Sequence, residues 1–135
     1  LPYTSLFRSN GVNGIRLTNG ASRHIRNSTI RDFRGAGGFG VNFAPTDVAG
    51  ATLVLDNVTI IENGAASGVS GGVLVQPAAN VPATVLVTNS RVSDNNRGGV
   101  RIDASAAGSS VKATISDSQI TDNQIGVYAM KLPRR

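Results

Sequence analysis

The stretch NSRVSDNNRGGVRI, residues 89–102, decides the fold because its order of residue types recurs along the chain. An Asn-Ser pair precedes a β-branched residue, an acid-Asn pair and a Gly-Val strand. The same order appears, complete or shortened, in LFRSN…GIRL (6–17), NSTIRDF…GVNF (27–43), NVTIIEN…GVLV (57–75) and DSQITDN…GVYA (117–129). A repeat of roughly 20–50 residues, with insertions confined to polar stretches, is typical of a solenoid.

Apolar and polar residues alternate within each unit, and a period of two predicts β-strands rather than helices. The alternation forms three apolar columns: Ile25, Leu55, Val87 and Ile115; Phe7, Ile30, Ile60, Val92 and Ile120; and the pairs Ile15/Leu17, Val41/Phe43, Val73/Val75, Val100/Ile102 and Val127/Ala129. Strands this short bury little alone, so successive units must stack. We therefore predict an all-β fold, a single-stranded right-handed parallel β-helix of about five coils with three short strands per coil.

The 135 residues are expected to form one solenoid domain, 1–135, with coils at roughly 6–24, 25–50, 51–82, 83–110 and 111–130. A solenoid exposes unpaired backbone at its first and last coils unless something covers them. We therefore expect the terminal segments 1–6 and 130–135 to cover the ends, or the chain to self-associate through them.

Two columns of asparagines mark the corners between strands. The first holds Asn27, Asn57 and Asn89, with Asp117 closing it, and the second holds Asn10, Asn63, Asn95 and Asn123, with Phe33 as an exception. Asparagine tolerates the left-handed backbone of a tight corner, and its side chain can hydrogen-bond to the same residue about 4.8 Å away on the next coil. We therefore predict an asparagine ladder, placed at the first column.

The repeat NSxIxxN…GGVxV resembles the right-handed parallel β-helix repeats of the pectin-lyase-like superfamily, especially the coils common in bacterial surface and secreted proteins. The resemblance covers residues 6–130, nearly the whole chain. It implies an extracytoplasmic location and, as partner, a polysaccharide (including an anionic one) or a protein. Polysaccharide lyases and hydrolases of this superfamily bring acids from adjacent coils together on one face.

An acidic residue follows two positions after each later member of the second apolar column: Asp32, Glu62, Asp94 and Asp122, with Ser9 in the first unit. We call these four acids the carboxylate row. Carboxylates at one strand spacing raise each other's pKa or recruit a cation, and Ca²⁺ is the only cofactor to be considered. With Arg31, which can bind an anion, they are the candidate catalytic residues. The alternative is structural, each carboxylate accepting from the backbone of its own turn.

A second candidate site occupies the polar middle position of the third strand. Arg16, Arg101 and Tyr128 share this column with Asn42 and Leu74, and we predict that the three bind a ligand, with the tyrosine ring stacking on a sugar face. The alternative is an ordinary solvated surface. Two coils separate Arg16 from Arg101, so they are not expected to form one compact patch. Two glycine-rich loops, 35–40 and 64–72, are expected to protrude side by side, as a groove wall or as structural filler.

The composition narrows the partners. Without cysteine there is neither a disulfide framework nor thiolate chemistry, and no apolar run is long enough for a membrane span. The calculated pI is about 10.8, yet aromatic residues are few and residues 35–90 carry no Lys or Arg, so a nucleic-acid partner is not favoured. The lone His24 provides no metal cluster, and no residue is assigned as a metal ligand, so Ca²⁺ at the carboxylate row is the one cofactor left open.

Two functions remain open. The first is a non-catalytic surface or secreted module for glycan or protein contact. The second is a small polysaccharide-active enzyme, or part of one, that uses the carboxylate row. The module is favoured because the residues form no distinctive catalytic cluster.

Overall fold

The computed structural model describes residues 5–8 and 11–131, and all regular structure in those ranges is β-strand. The strands are β1 (Ser5–Arg8), β2 (Asn13–Leu17), β3 (Ser22–Arg31), β4 (Phe39–Phe43), β5 (Ala51–Ile61), β6 (Gly71–Val75), β7 (Pro82–Thr88), β8 (Arg91–Ser93), β9 (Gly98–Ala104), β10 (Ser110–Ser116), β11 (Gln119–Thr121) and β12 (Ile125–Lys131). Every strand pair is parallel. The predicted parallel β-helix is therefore confirmed.

The strands of each coil form three faces of the solenoid. Face 1 contains 22–26, 51–56, 82–88 and 110–116, face 2 contains 5–8, 28–31, 58–61, 91–93 and 119–121, and face 3 contains β2, β4, β6, β9 and β12. β3 and β5 bend from face 1 into face 2 without a break. Five strand levels lie on faces 2 and 3, but they amount to about four complete turns, fewer than the five predicted, since the first described level has no face 1 strand.

The interior is built from the three predicted apolar columns. Phe7, Ile30, Ile60, Val92 and Ile120 are consecutive partners in the strand register. The columns of faces 1 and 3 stack in the same way. Ile30, Ile60 and Val92 are fully buried, whereas Ile120 in the last coil is partly exposed. Each central coil is thus covered on both sides by its neighbours, and burial decreases towards the ends.

The corners need a left-handed backbone. Residues other than glycine, asparagine and aspartate adopt this conformation with difficulty. Between faces 1 and 2, the residues with φ between 48° and 55° are Asn27, Asn57, Asn89 and Asp117. Between faces 2 and 3, the four acids of the carboxylate row have φ between 55° and 67°, and Arg97 has a φ of 67° as well. Each acid therefore has a backbone role at its corner, whatever its side chain does.

The continuous asparagine ladder lies at the second corner, not at the first as predicted. It consists of Asn63, Asn95 and Asn123, which point inward and pass hydrogen bonds from coil to coil. The Nδ2 of Asn63 donates to Oδ1 of Asn95 at 3.1 Å, and the Nδ2 of Asn95 donates to Oδ1 of Asn123 at 3.0 Å. At the exposed first corner, Asn57 bonds to Asn27, but Asn89 bonds to Asp56 instead of continuing the ladder.

A column of glycines makes room for this ladder. Gly40, Gly72 and Gly99 each precede an inward valine of face 3, and each lies against a ladder asparagine of the next coil. A Cβ atom on Gly72 would lie 2.7 Å from the carbonyl oxygen of Gly99 and 3.0 Å from Nδ2 of Asn95. The asparagine side chain of one coil packs against the glycine of the preceding coil, which has no side chain. This packing explains the constant order of Asn and Gly-Val in the repeat.

Several sequence expectations fall on residues outside the described ranges. Ser9 and Asn10, the first-unit members of the acidic and asparagine columns, are among them, as are residues 1–4 and 132–135, which include most of the segments expected to cover the ends. Within the described ranges there is no helix that could cross a membrane.

Candidate functional site

The carboxylate row lies at the corner between faces 2 and 3. The strand register places Arg31 opposite Ile61 and Ile61 opposite Ser93, so the acids that follow them occupy successive coils. The backbone bonds across this corner from coil to coil: the amide of Asp32 donates to the carbonyl of Glu62 at 3.2 Å. The predicted stacking of the four acids is present in the backbone.

Arginines occupy the N-terminal half of the carboxylate row. The carboxylate of Asp32 accepts from Nε of Arg8 at 2.9 Å and from Nε of Arg31 at 3.1 Å. Arg31 also bonds to Glu62, one coil further on, and Arg34 lies 3.7 Å from Asp32. These pairs satisfy the carboxylates with guanidinium groups and leave Arg31 engaged by the protein itself.

The electrostatic consequence differs from the sequence expectation. Desolvation alone would raise the pKa of Asp32, but the charge of Arg31 and the hydrogen bonds from Arg31 and Arg8 hold this pKa below its ordinary value. The neighbouring carboxylates therefore do not force Asp32 to hold a proton, because interleaved arginines outweigh their repulsion. Asp32 is in the ionised form at neutral pH.

In the described part of the chain, the carboxylate row has neither a metal cluster nor the expected hydrogen bonds from turn amides. Among residues 5–8 and 11–131, no three His, Cys, Asp or Glu side chains are placed to hold a metal ion. Hydrogen bonds to Asp32, Glu62 and Asp94 come from arginine and serine side chains, whereas the bonds from turn amides occur at Asp47 and Asp103. The Ca²⁺ and catalytic assignments of the row stay predictions.

Replacing Asp32 by asparagine is expected to lower the melting temperature by a few degrees at neutral pH and to change it little in strong acid. Because the folded pKa of Asp32 is depressed, its carboxylate stabilises the fold above the unfolded pKa of about 4. This contribution is lost as the pH falls through the folded pKa. Asparagine retains the left-handed corner. Thermal unfolding followed by circular dichroism across the acid range measures the difference.

The matched control is Asp122→Asn, at the same corner position of the last coil. Within the described part of the chain Asp122 has no arginine at ion-pair distance, so this change should lower the melting temperature less at neutral pH. Equal shifts in the two variants would show that the arginine cluster does not stabilise the fold.

The second predicted site is a column on the outer side of face 3. Arg16, Asn42, Leu74, Arg101 and Tyr128 are successive partners in the strand register. Arg16 is separated from Arg101 by two coils, as predicted. The guanidinium carbon of Arg101 lies 4.8 Å from the centre of the Tyr128 ring, a cation–π contact. The structure thus brings Arg101 and Tyr128 together and leaves Arg16 apart.

No carboxylate lies at ion-pair distance from Arg101 within the described residues, and Asp103 interacts with its charge from further away. Its guanidinium contacts the Met130 sulfur at 3.4 Å, and its buried Nε has no hydrogen-bond partner in the described chain. Buried polar atoms without partners are rare in folded proteins, and each one needs a physical explanation. The guanidinium group of Arg101 therefore keeps donors that are free to bind a ligand. The guanidinium group of Arg31, in contrast, already donates to two acids.

A pocket of about 260 Å³ opens beside this pair. Its lining includes the loop residues 68–70 together with Arg97, Ile125 and Tyr128. Ser70 closes the loop by exchanging two hydrogen bonds with Ala65, and Nε of Arg97 donates to the Gly68 carbonyl. The pocket is therefore pre-formed.

Arg97 and Ile125 were not among the residues predicted to bind a ligand. Their position depends on how the loop at 64–70 folds back, and the repeat pattern does not specify this. Residues 68–70 of this loop line the pocket. The other glycine-rich loop is shorter than the predicted 35–40, because Phe39 and Gly40 belong to β4. The loops are adjacent: the amide of Gly71 donates to the carbonyl of Gly38.

A second depression of about 420 Å³ lies at the other end of the face 3 strands. It is lined by Arg16, Thr46 and Gln76, together with residues 77–78 and 105–106. It is shallow, and it contains no aromatic residue. We therefore regard the Arg101–Tyr128 pair and its pocket as the candidate binding site.

The fold and this site define a parallel β-solenoid with a cationic-aromatic platform on one flat face. The sequence matches no protein-family model, no curated protein and no solved structure. A function for this chain therefore has to be inferred from its own residues.

Proposed function

We propose that this solenoid is a non-catalytic binding module that contacts a glycan through face 3, at the Arg101–Tyr128 platform. The observation that carries the proposal is an arginine stacked on a tyrosine at the mouth of a pre-formed pocket, with no carboxylate of the described chain paired to it. An aromatic face packs against the apolar side of a sugar ring, and a guanidinium donates to its hydroxyl or carboxylate oxygens. Val69 and Ile125 add apolar area beside them.

The proposal includes membership of the pectin-lyase-like superfamily and an extracytoplasmic location, as in bacterial surface and secreted proteins. Support comes from the repeat NSxIxxN…GGVxV and from its parallel coils. Contact with a protein instead of a glycan would use the same flat face.

Tyr128→Ala and Arg101→Ala are each expected to weaken glycan binding by about tenfold or more, since each removes half of the platform. Binding of neutral and acidic oligosaccharides is measured by calorimetry and by amide chemical shifts. Arg26→Ala is the control, because it removes the same charge from an exposed strand on face 1.

Two outcomes would contradict the proposal. Binding that survives both substitutions would place the ligand elsewhere. Turnover of pectate or alginate, abolished by Asp32→Asn or Glu62→Gln, would favour the polysaccharide-active enzyme that the carboxylate row suggests.

A further inference from the structure

We propose that the last coil of the solenoid binds the first coil of a second copy of this chain, so that copies stack head to tail along the solenoid axis. The last coil consists of β10, β11 and β12. Each pairs on one edge only, with β7, β8 and β9 respectively. In the described residues, the other edge of all three strands has no partner.

The apolar interior is open at this end. In the face 3 column, Val41 and Val73 are 0 % exposed and Val100 is 2 % exposed, but Val127 is 49 % exposed. Ile125 beside it is also 49 % exposed. The valine position that the three preceding coils bury is therefore uncovered here, with Ile125 exposed beside it, as at an interface rather than a surface.

Polar groups at the same end lack the partner that each earlier coil receives. The amides of Asn63 and Asn95 donate to the Oδ1 atoms of Asn95 and Asn123 at 3.0 Å, while the amide of Asn123 has no acceptor in the described part of the chain. Gly126 shows the matching space: a Cβ there would meet only Ile120, at 3.7 Å, where Gly99 already faces a carboxamide. The end thus has the form of a coil prepared for another coil.

The first coil of this same chain has the residue types that fit on faces 2 and 3, where it would pair with β11 and β12. β1 and β2 align Ser5 with Ser28, Phe7 with Ile30 and Ile15 with Val41. In a stacked copy, Ser5 would follow Ser118 in the column where Ser118 Oγ already accepts from the Ser90 amide. Phe7 and Ile15, which are incompletely buried, would cover Ile120 and Val127.

The outer column of face 3 supplies a specific contact. Arg101 lies over the Tyr128 ring from the coil before it. A stacked copy would place its exposed Arg16 in the next position of that column, so that Tyr128 would lie between two guanidinium groups and Arg16 would compete with a glycan for the second face of the ring. Cation–π contact of this kind favours the register over a slipped one. In sequence, Asn10 also has the ladder spacing from Phe7; its structure is outside the described ranges.

Sedimentation velocity and light scattering on the whole chain test the proposal. The weight-average mass should rise as the protein concentration increases from about 10 μM to 1 mM. Because each copy has one end of each kind, association should produce oligomers larger than a dimer. Arg16→Ala should weaken association by about fivefold, while Arg26→Ala, which removes an exposed arginine from face 1, should leave it unchanged. A mass that stays monomeric throughout would overturn the proposal.

Two end-blocked variants test the polarity and the fold together. Val127→Asp blocks the last coil and Phe7→Asp blocks the first. Neither should associate alone, but their mixture should form a one-to-one dimer and stop, because each keeps one open end. Association of either variant alone, or no dimer in the mixture, would rule out head-to-tail stacking. Glycan binding is measured on the monomeric Val127→Asp variant. The test of glycan binding is therefore independent of the test of self-association.

Discussion

Replacing Asn95 by alanine is expected to lower the free energy of unfolding by about 3–5 kcal/mol, because several buried hydrogen bonds lose a partner at once. Oδ1 of Asn95 accepts from the amide and the side chain of Asn63, and its Nδ2 donates to the Ile60 carbonyl and to Asn123. Asn95 is only 3 % exposed. Alanine leaves these groups unpaired without water to replace the lost partner.

Urea unfolding at 25 °C measures this loss, as the difference in the free energy of unfolding between the variant and the wild type when both have the same denaturant dependence (m-value). The control is Asn57→Gly at the outer corner. Asn57 makes one exposed side-chain bond, to Asn27 at 2.8 Å, and glycine accepts its φ of 55° without strain. This change should cost less than about 1 kcal/mol. Similar losses in both variants would show that the inward ladder has no special stabilising role.

The architecture could be predicted because alternation and repeat spacing directly determine which residues point inward. Ile30, Ile60 and Val92 are apolar at the same phase of each unit, and only one register buries all three. The corner residues were also predictable, since few residue types accept a left-handed backbone. Asp32 and Asp94 therefore lie where the repeat placed them.

The ladder was assigned to the wrong corner for a physical reason. Two columns of asparagines recur in the sequence. The number of asparagines in each column does not show which column forms the ladder. What distinguishes Asn63 from Asn57 is the glycine of the preceding coil, Gly40, which leaves space for an inward carboxamide. That signal is present in the sequence as the glycine before each inward valine, but its meaning depends on coil-to-coil packing.

The lowered pKa of Asp32 could not be derived from the spacing of the carboxylate row. Spacing alone predicts repulsion between the acids, whereas Arg8 and Arg31 reach across coils to Asp32 and Glu62. Long side chains choose among many rotamers, so the sequence does not specify which acid each arginine reaches. The pocket beside Tyr128 is similar, because its wall depends on the bonds between Ser70 and Ala65.

Replacing Gly72 by alanine is expected to lower the free energy of unfolding by about 1–3 kcal/mol, since the added methyl group has no space in a packed interior. The new Cβ would lie 2.7 Å from the Gly99 carbonyl oxygen and 3.0 Å from Asn95 Nδ2. The backbone oxygen belongs to the next strand of face 3, so relief requires the two coils to separate locally. Denaturant unfolding and the loss of amide-exchange protection in β6 and β9 report this.

Gly98→Ala is the matched control, and it should be neutral or stabilising by up to about 1 kcal/mol. Its Cβ would meet nothing closer than 3.9 Å, and both substitutions reduce the entropy of the unfolded chain equally. The Gly72→Ala, Asn95→Ala double variant completes the test, because loss of the carboxamide removes one of the three close contacts, which are with the Gly99 carbonyl oxygen, Asn95 Nδ2 and Val92 Cγ1. Its combined loss should be smaller than the sum of the single losses by at least about 0.5 kcal/mol. Simple additivity would mean that the glycine column and the asparagine ladder are not packed against each other.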